Sequence, residues 1–208
     1  MKNILTIALL LPFYLFSQIN DGSIILGVQY GFVQDVNFQD LDVNTYSPDM
    51  SSDFLSSDKG AEFRIGYKLS KATLGLSYRL CNISGENDIE YHNSNFNERN
   101  IFVEYDVFER SNLILFVSAG YGMLNYESKR YLVADDTQIP LDSPGGSPEG
   151  NTTKYNYGLG VKIPLSDNFL LSISSTRDLV EDDGFDGWDY GTNKDKFSFH
   201  SLGMSYIF

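Results

Sequence analysis

Lys154-Tyr155-Asn156-Tyr157-Gly158-Leu159-Gly160-Val161-Lys162-Ile163 is the stretch that decides the fold. Tyr155, Tyr157, Leu159, Val161 and Ile163 alternate with Lys154, Asn156, Gly158, Gly160 and Lys162. Successive side chains of a strand point to opposite faces, so this is a strand with one apolar face. Its other face carries glycine and charge.

Seven more runs keep the same period. Ile24 to Val33, Ala61 to Leu69 and Thr73 to Leu80 precede the deciding stretch, as do Ile101 to Val107 and Leu113 to Met123. Phe169 to Thr176 and Ser201 to Phe208 follow it. Eight runs predict an all-β chain of eight strands. Alternation alone leaves two barrels open. A soluble barrel would turn the apolar face inward, and a membrane barrel would turn it outward.

Three features favour the membrane barrel. Gly27, Gly31, Gly66, Gly75, Gly120, Gly122, Gly158, Gly160 and Gly203 all fall on the polar face. Glycine weakens a solvated strand, whereas inside a narrow barrel it makes room for long neighbours. With strand direction alternated, Tyr30, Phe32, Tyr78, Tyr121, Tyr155 and Tyr157 fall at one rim. Tyr67, Tyr105, Phe169, Tyr206 and Phe208 fall at the other. Aromatic girdles around an aliphatic band mark the two water–lipid interfaces. Connections also alternate: short turns near Ser70–Lys71, Glu109–Asn112 and Pro164–Asp167, long loops at 34–58, 84–96, 128–152 and 179–195. The expected fold is an eight-stranded antiparallel up-and-down transmembrane β-barrel, with loops outside the cell and termini periplasmic.

The remaining sequence is consistent with that fold. Lys2 precedes an apolar run from Ile4 to Phe16, then Ser17, Gln18 and Asn20. This is the layout of a secretory signal, expected over 1–18 with the barrel over 19–208. No later stretch reaches the roughly 20 apolar residues of a helical span. The net charge of −13 argues against nucleic acid as a partner. The single cysteine, Cys81, forms no intramolecular disulfide and reads as a small lumen filler.

The chain resembles the small outer-membrane β-barrel proteins of OmpA/OmpX type. It is especially similar to the porin-family (PorT-like) barrel domain common in Bacteroidetes. The carriers are Phe16-Ser17-Gln18 closing the signal, Tyr157-Gly158-Leu159-Gly160-Val161, and the terminal Ser205-Tyr206-Ile207-Phe208. The resemblance implies an outer-membrane location. It also implies membrane lipid and the barrel-insertion machinery as partners, the latter reading the terminal aromatic strand. It names no substrate and no cofactor.

Charge is unevenly placed. The four long loops hold 19 of the 28 acidic residues and, of the 15 basic ones, only Lys129, Arg130 and Lys194. They sum to −16, which leaves +3 for the rest. Such loops would attract a cationic or divalent-ion partner outside the cell, or simply stay solvated. Asp182, Asp183, Asp186 and Asp189, with Gly184 and Gly187 between them, form an oxygen-rich stretch that could hold calcium. An EF-hand counted from Asp182 would need glutamate where Asn193 stands. Ser198 and His200 share a strand face, as a lipid hydrolase would require, but no acid can be assigned to orient them. On the lumen face, Glu62, Glu104, Asp106 and Asp178 stand beside Arg64, Lys68, Arg79, Lys154 and Lys162. Four acids against five bases can pair and fill the interior. The function expected is therefore non-enzymatic, with external loops for envelope stabilisation or surface interaction. A small channel is the alternative.

Deleting Phe208 should lower the heat-modifiable fraction in outer-membrane preparations more than Phe169→Ala does. Both residues belong to the same expected aromatic girdle, so equal losses at matched expression would remove any special role of the terminus.

Overall fold

The computed structural model describes residues 21–34, 58–86, 90–132, 134–138, 149–181 and 196–208 of the chain. It contains eight strands: β1 (Ile24–Gln34), β2 (Asp58–Leu69), β3 (Ala72–Glu86), β4 (Glu90–Arg110), β5 (Leu113–Leu132), β6 (Glu149–Pro164), β7 (Phe169–Val180) and β8 (Lys196–Ile207). Each pairs antiparallel with its sequence neighbours, and β8 returns to β1 to close the barrel. The closing ladder runs from Ile25 opposite Ile207 to Gln34 opposite Ser198. The expected signal over 1–18 lies outside the described residues.

The apolar face is the outer one. Leu76, Ile101 and Leu159 are 56%, 58% and 65% exposed. Arg79, Lys154, Glu98 and Asp178 are buried in the lumen. All eleven aromatics assigned to the two girdles lie on the outer surface. In water that distribution would be inside out, because charge is almost never fully buried while large apolar residues are left exposed. In lipid it is the required one.

Three short turns lie at one end of the barrel, at Ser70–Lys71, Ser111–Asn112 and 165–168. Ser70 adopts a left-handed φ of 54° to make the first of them. The long connections lie at the other end. Two of them are shorter than expected. β3 and β4 leave only 87–89 between them, so most of the loop expected at 84–96 is sheet. β5 and β6 likewise take both ends of the loop expected at 128–152. β4 and β5 have 21 and 20 residues, about twice what a tilted strand needs to cross the hydrocarbon. Beyond the lipid the backbone ladder continues without an apolar face. Asn93, Asn95 and Asn97 therefore carried no strand signal in the sequence.

One irregularity re-aims side chains near the turns. The β4–β5 register shifts between Asp106 and Phe108, so Val107 and Phe108 both face outward. Asp106 still points into the lumen, where it meets Lys68 and Lys162. A bulge of this kind inserts one unpaired residue and bends the strand.

The inward glycines are spacers for aromatic rings as well as for charges. Phe102 lies between Gly75 on β3 and Gly120 on β5, and Phe116 lies beside Gly160 on β6. A Cβ on Gly75 would sit 2.2 Å from the Ile65 carbonyl oxygen and 2.5 Å from the Phe102 ring. A Cβ on Gly27 would press only on the Ser205 hydroxyl, at 2.6 Å, which can rotate away. Gly75→Ala should therefore destabilise the folded barrel by about 1–3 kcal/mol, as overpacking does, and Gly27→Ala by clearly less. Urea unfolding in detergent micelles checks both, and equal costs would count against the packing account.

Candidate functional site

Among the described residues, ten charged side chains occupy the lumen in a chain of alternating sign. Lys68 pairs with Asp106, and Asp106 with Lys162 at 3.3 Å. Lys162 reaches Glu104 at 2.7 Å, and Glu104 holds Arg64 at 2.6 Å. Arg64 and Arg79 flank Glu62, at 3.9 and 3.6 Å. Arg79 then contacts Asp178 at 3.1 Å and Glu98 at 3.2 Å. Lys154 closes the series on both, lying 2.5 Å from Glu98 and bonded to Asp178. β2, β3 and β4 supply one side of this network, and β6 and β7 the other. It therefore ties opposite walls of the barrel together.

All nine lumen charges expected from sequence are in this network, and Glu98 is the tenth. With it the network has five acids and five bases among the described residues, so it is neutral rather than one positive charge in excess. Extending the β4 alternation back from Asp106 through Glu104 and Phe102 reaches Asn100, Glu98 and Phe96. That signal was available, but Asn97 and Arg99 interrupt the apolar face that marked the strand.

Three of these cations also stack on aromatic rings that the alternation does not assign to the lumen. Arg64 lies 3.9 Å from the centre of Phe102, Arg79 4.3 Å from Phe199, and Lys162 4.6 Å from Phe116. Cation–π attraction is worth more where water is excluded. It gives these three cations a further partner that is itself apolar. On the remaining wall, Ser201 donates to Gln29 at 2.9 Å and shares a 2.8 Å bond with Ser174.

Apolar side chains close the lumen at both ends. Val33, Cys81, Phe96, Leu124, Tyr126, Val180, Phe197 and Phe199 cluster toward the long connections. Ile114, Leu170 and Ile207 cluster toward the turns, with Ile25 against them. Cys81 is a buried filler, as expected. Among the described residues, a cavity in the lumen between Gln29, Arg64, Phe102, Glu104, Phe116 and Lys162 measures about 30 Å³. That is room for a water or two. The hydroxyls of Thr73 and Ser172, which lack a protein partner, line it.

Other sequence candidates do not assemble a site among the described residues. Ser198 and His200 do share the outer face of β8. Arg177 donates to the Ser198 hydroxyl at 2.9 Å, and the His200 ring rests on Phe32 at 5.2 Å. His92 lies in β4 rather than in a loop. Asp182, Asp183, Asp186 and Asp189 lie outside the described residues. No group of three metal-ligating side chains occurs among the described ones.

Comparison with known proteins agrees with this architecture. The family model described as outer membrane protein beta-barrel domain matches residues 5–208. Among solved structures, the chain is similar to the N-terminal β-barrel domain of Pseudomonas aeruginosa OprF. That match has 20% identity, TM-score 0.51, and covers 90% of this chain and 98% of that one. It is also similar to Ail, the attachment invasion locus protein of Yersinia pestis, with 14% identity, TM-score 0.50 and coverage of 91% and 100%. A third similar structure is Neisserial surface protein A, with 10% identity, TM-score 0.55 and coverage of 89% and 96%. At such identities the likeness speaks for the fold alone. No curated protein sequence matches the chain.

Removing one member of the network should be costly, because its partners stay buried. Arg79→Met, which leaves Glu62, Glu98 and Asp178 short of a cation, should lower stability by about 3–5 kcal/mol. Arg79→Lys keeps the charge and should lose less. Urea titration of the refolded barrel measures both, and an Arg79→Met barrel of parental stability would contradict the network's role.

Proposed function

The chain belongs to the outer membrane protein β-barrel domain family and is an integral β-barrel of the bacterial outer membrane, and from that premise we propose that it is a non-enzymatic, non-conducting barrel acting through its long-connection end. The observation that carries this reading is the filled lumen. Ten paired charges, their stacked rings and two apolar closures occupy it. Eight-stranded barrels have an interior just wide enough for side chains. A conducting path would have to separate ion pairs that are buried on every side.

The long-connection end is read as facing out of the cell, with the turns and both termini in the periplasm. Short periplasmic turns and longer external connections are the rule for such barrels. The connections gather most of the acidic residues, so this end presents a strongly negative surface. Envelope stabilisation through cations, or contact with a cationic partner, is the role that surface suits. A hydrolase reading lacks support, because the Ser198 hydroxyl is engaged by Arg177 and the His200 ring by Phe32.

Planar bilayers containing the purified barrel should show no large, stable conductance, and a steady open level would promote the channel alternative. On intact cells, a membrane-impermeant maleimide should label Thr137→Cys and leave Ser111→Cys unlabelled. The buried Cys81 keeps the background silent. Labelling at Ser111→Cys alone would reverse the orientation.

A further inference from the structure

We propose that the outer face of β2–β5 is a docking site for a phosphorylated saccharolipid of the outer leaflet. This rests on the outward orientation of the long-connection end. The chemistry of that face changes with height in three steps. The lowest is a groove of about 440 Å³ on the lipid side, lined by Phe63, Ile65, Leu76, Tyr78 and Ile101, with Arg99 at its upper edge. Such a groove takes an acyl chain.

Arg99 is the second step. It is exposed on the outer wall, between Tyr78 of β3 and Met123 of β5, one outward position above Ile101. Among the described residues no acid pairs with its guanidinium, whereas every cation in the lumen is paired. An unpaired guanidinium at the top of an apolar band is complementary to a lipid phosphate, which it can grip bidentately.

The third step is a ladder of amides. Asn82 donates to Asn93 at 2.6 Å and to Asn95 at 2.8 Å, and Asn125 donates to Asn97 at 3.2 Å. They stand outward above Arg99, since Asn97 pairs with Asn125 and Asn95 with Asn82. Asn82, Asn95, Asn97 and Asn125, with Lys59 and Glu127, border a second groove of about 560 Å³. Each amide has two donors and two acceptor lone pairs, so these bonds leave capacity over. Closely spaced donors and acceptors suit the neighbouring hydroxyls of a sugar. From Arg99 to Asn95 is four residues, about 13 Å along a strand, the reach of a short saccharide.

The occupant follows from the order of the steps. An ordinary phospholipid would fill the lower groove and meet Arg99, but it would leave the amide ladder unused. A free sugar would use the ladder alone. A lipid whose phosphate lies between acyl chains and an oligosaccharide uses all three, and the lower groove is continuous with the lipid-facing wall.

The full-length barrel, folded in zwitterionic detergent, is titrated with purified lipopolysaccharide and with phosphatidylglycerol, reading its thermal unfolding. Lipopolysaccharide should raise the unfolding temperature, and half-saturation should be about tenfold weaker for Arg99→Gln, a factor typical of losing one charge-assisted bond. The double variant Asn95→Ala/Asn97→Ala should weaken lipopolysaccharide and leave the response to phosphatidylglycerol unchanged. Arg110→Gln, at the opposite rim, should match the parent for both. Parental binding by Arg99→Gln, or equal responses to the two lipids, overturns the site. Binding in detergent does not depend on orientation, so such a failure stands apart from the orientation reading. Labelling at Ser111→Cys instead of Thr137→Cys would place the ladder in the periplasmic leaflet and overturn the proposal by itself.

Discussion

Hydrocarbon offers a backbone nothing to bond with. A strand in a bilayer must send every N–H and C=O to another strand, and a sheet there can have no edge. The pairing of β8 with β1 meets that constraint. Most other features of the molecule follow from closure. With eight strands closed, the inner face has a fixed and small volume, and the outer face has a fixed solvent that is not water. One sequence must then satisfy two environments at alternate residues over the whole ring.

The lumen shows how tightly the first environment is set. It is too narrow for bulk water, so charge placed there must find charge. The ten side chains form one alternating series instead of isolated pairs, and Glu62 joins its lower and upper parts through Arg64 and Arg79. Two buried ions bonded only to one another seldom recover their desolvation cost. Most members here touch two opposite charges, and several cations also face a phenylalanine. The rings in turn fit because glycine stands beside them on neighbouring strands, as Gly75 and Gly120 do for Phe102. Charge, ring and glycine are parts of one packing solution.

This arrangement explains what could be read from the sequence. Where lipid touches the wall, the apolar face is obligatory, and runs such as Tyr155 to Ile163 announce it. Eight strands, their outward faces, both girdles and the three turns were all legible in that way. Where water touches the wall, either kind of residue serves and the period fades. Glu98 was missed for that reason, since Asn97 and Arg99 beside it are polar, and the loop expected at 84–96 proved to be mostly sheet. The inward phenylalanines were missed for another reason. Phe102 and Phe116 sit on the face that reads as polar, and only the cross-strand register reveals the glycines that accommodate them. The acidic run at Asp182, Asp183, Asp186 and Asp189 falls outside the described residues, and its chemistry rests on sequence alone.

The outer wall carries a second kind of information, in the vertical direction. Around most of the barrel the aliphatic band passes into a tyrosine girdle and then into long connections. On β3, β4 and β5 the sheet continues upward, so residues beyond the lipid keep strand geometry and fixed spacing. Loops could supply the same asparagines, but not in a regular ladder directly above Ile101 and Arg99. An extended sheet converts the boundary between hydrocarbon and water into a surface with defined positions for chain, phosphate and hydroxyl. The same extension costs little in backbone terms. Pairing continues from Phe96 opposite Tyr126 to Glu90 opposite Leu132, and every residue there has a ladder partner. The asymmetry of the barrel, tall on one side and short on the other, is thus the feature that gives its outer wall a specific face.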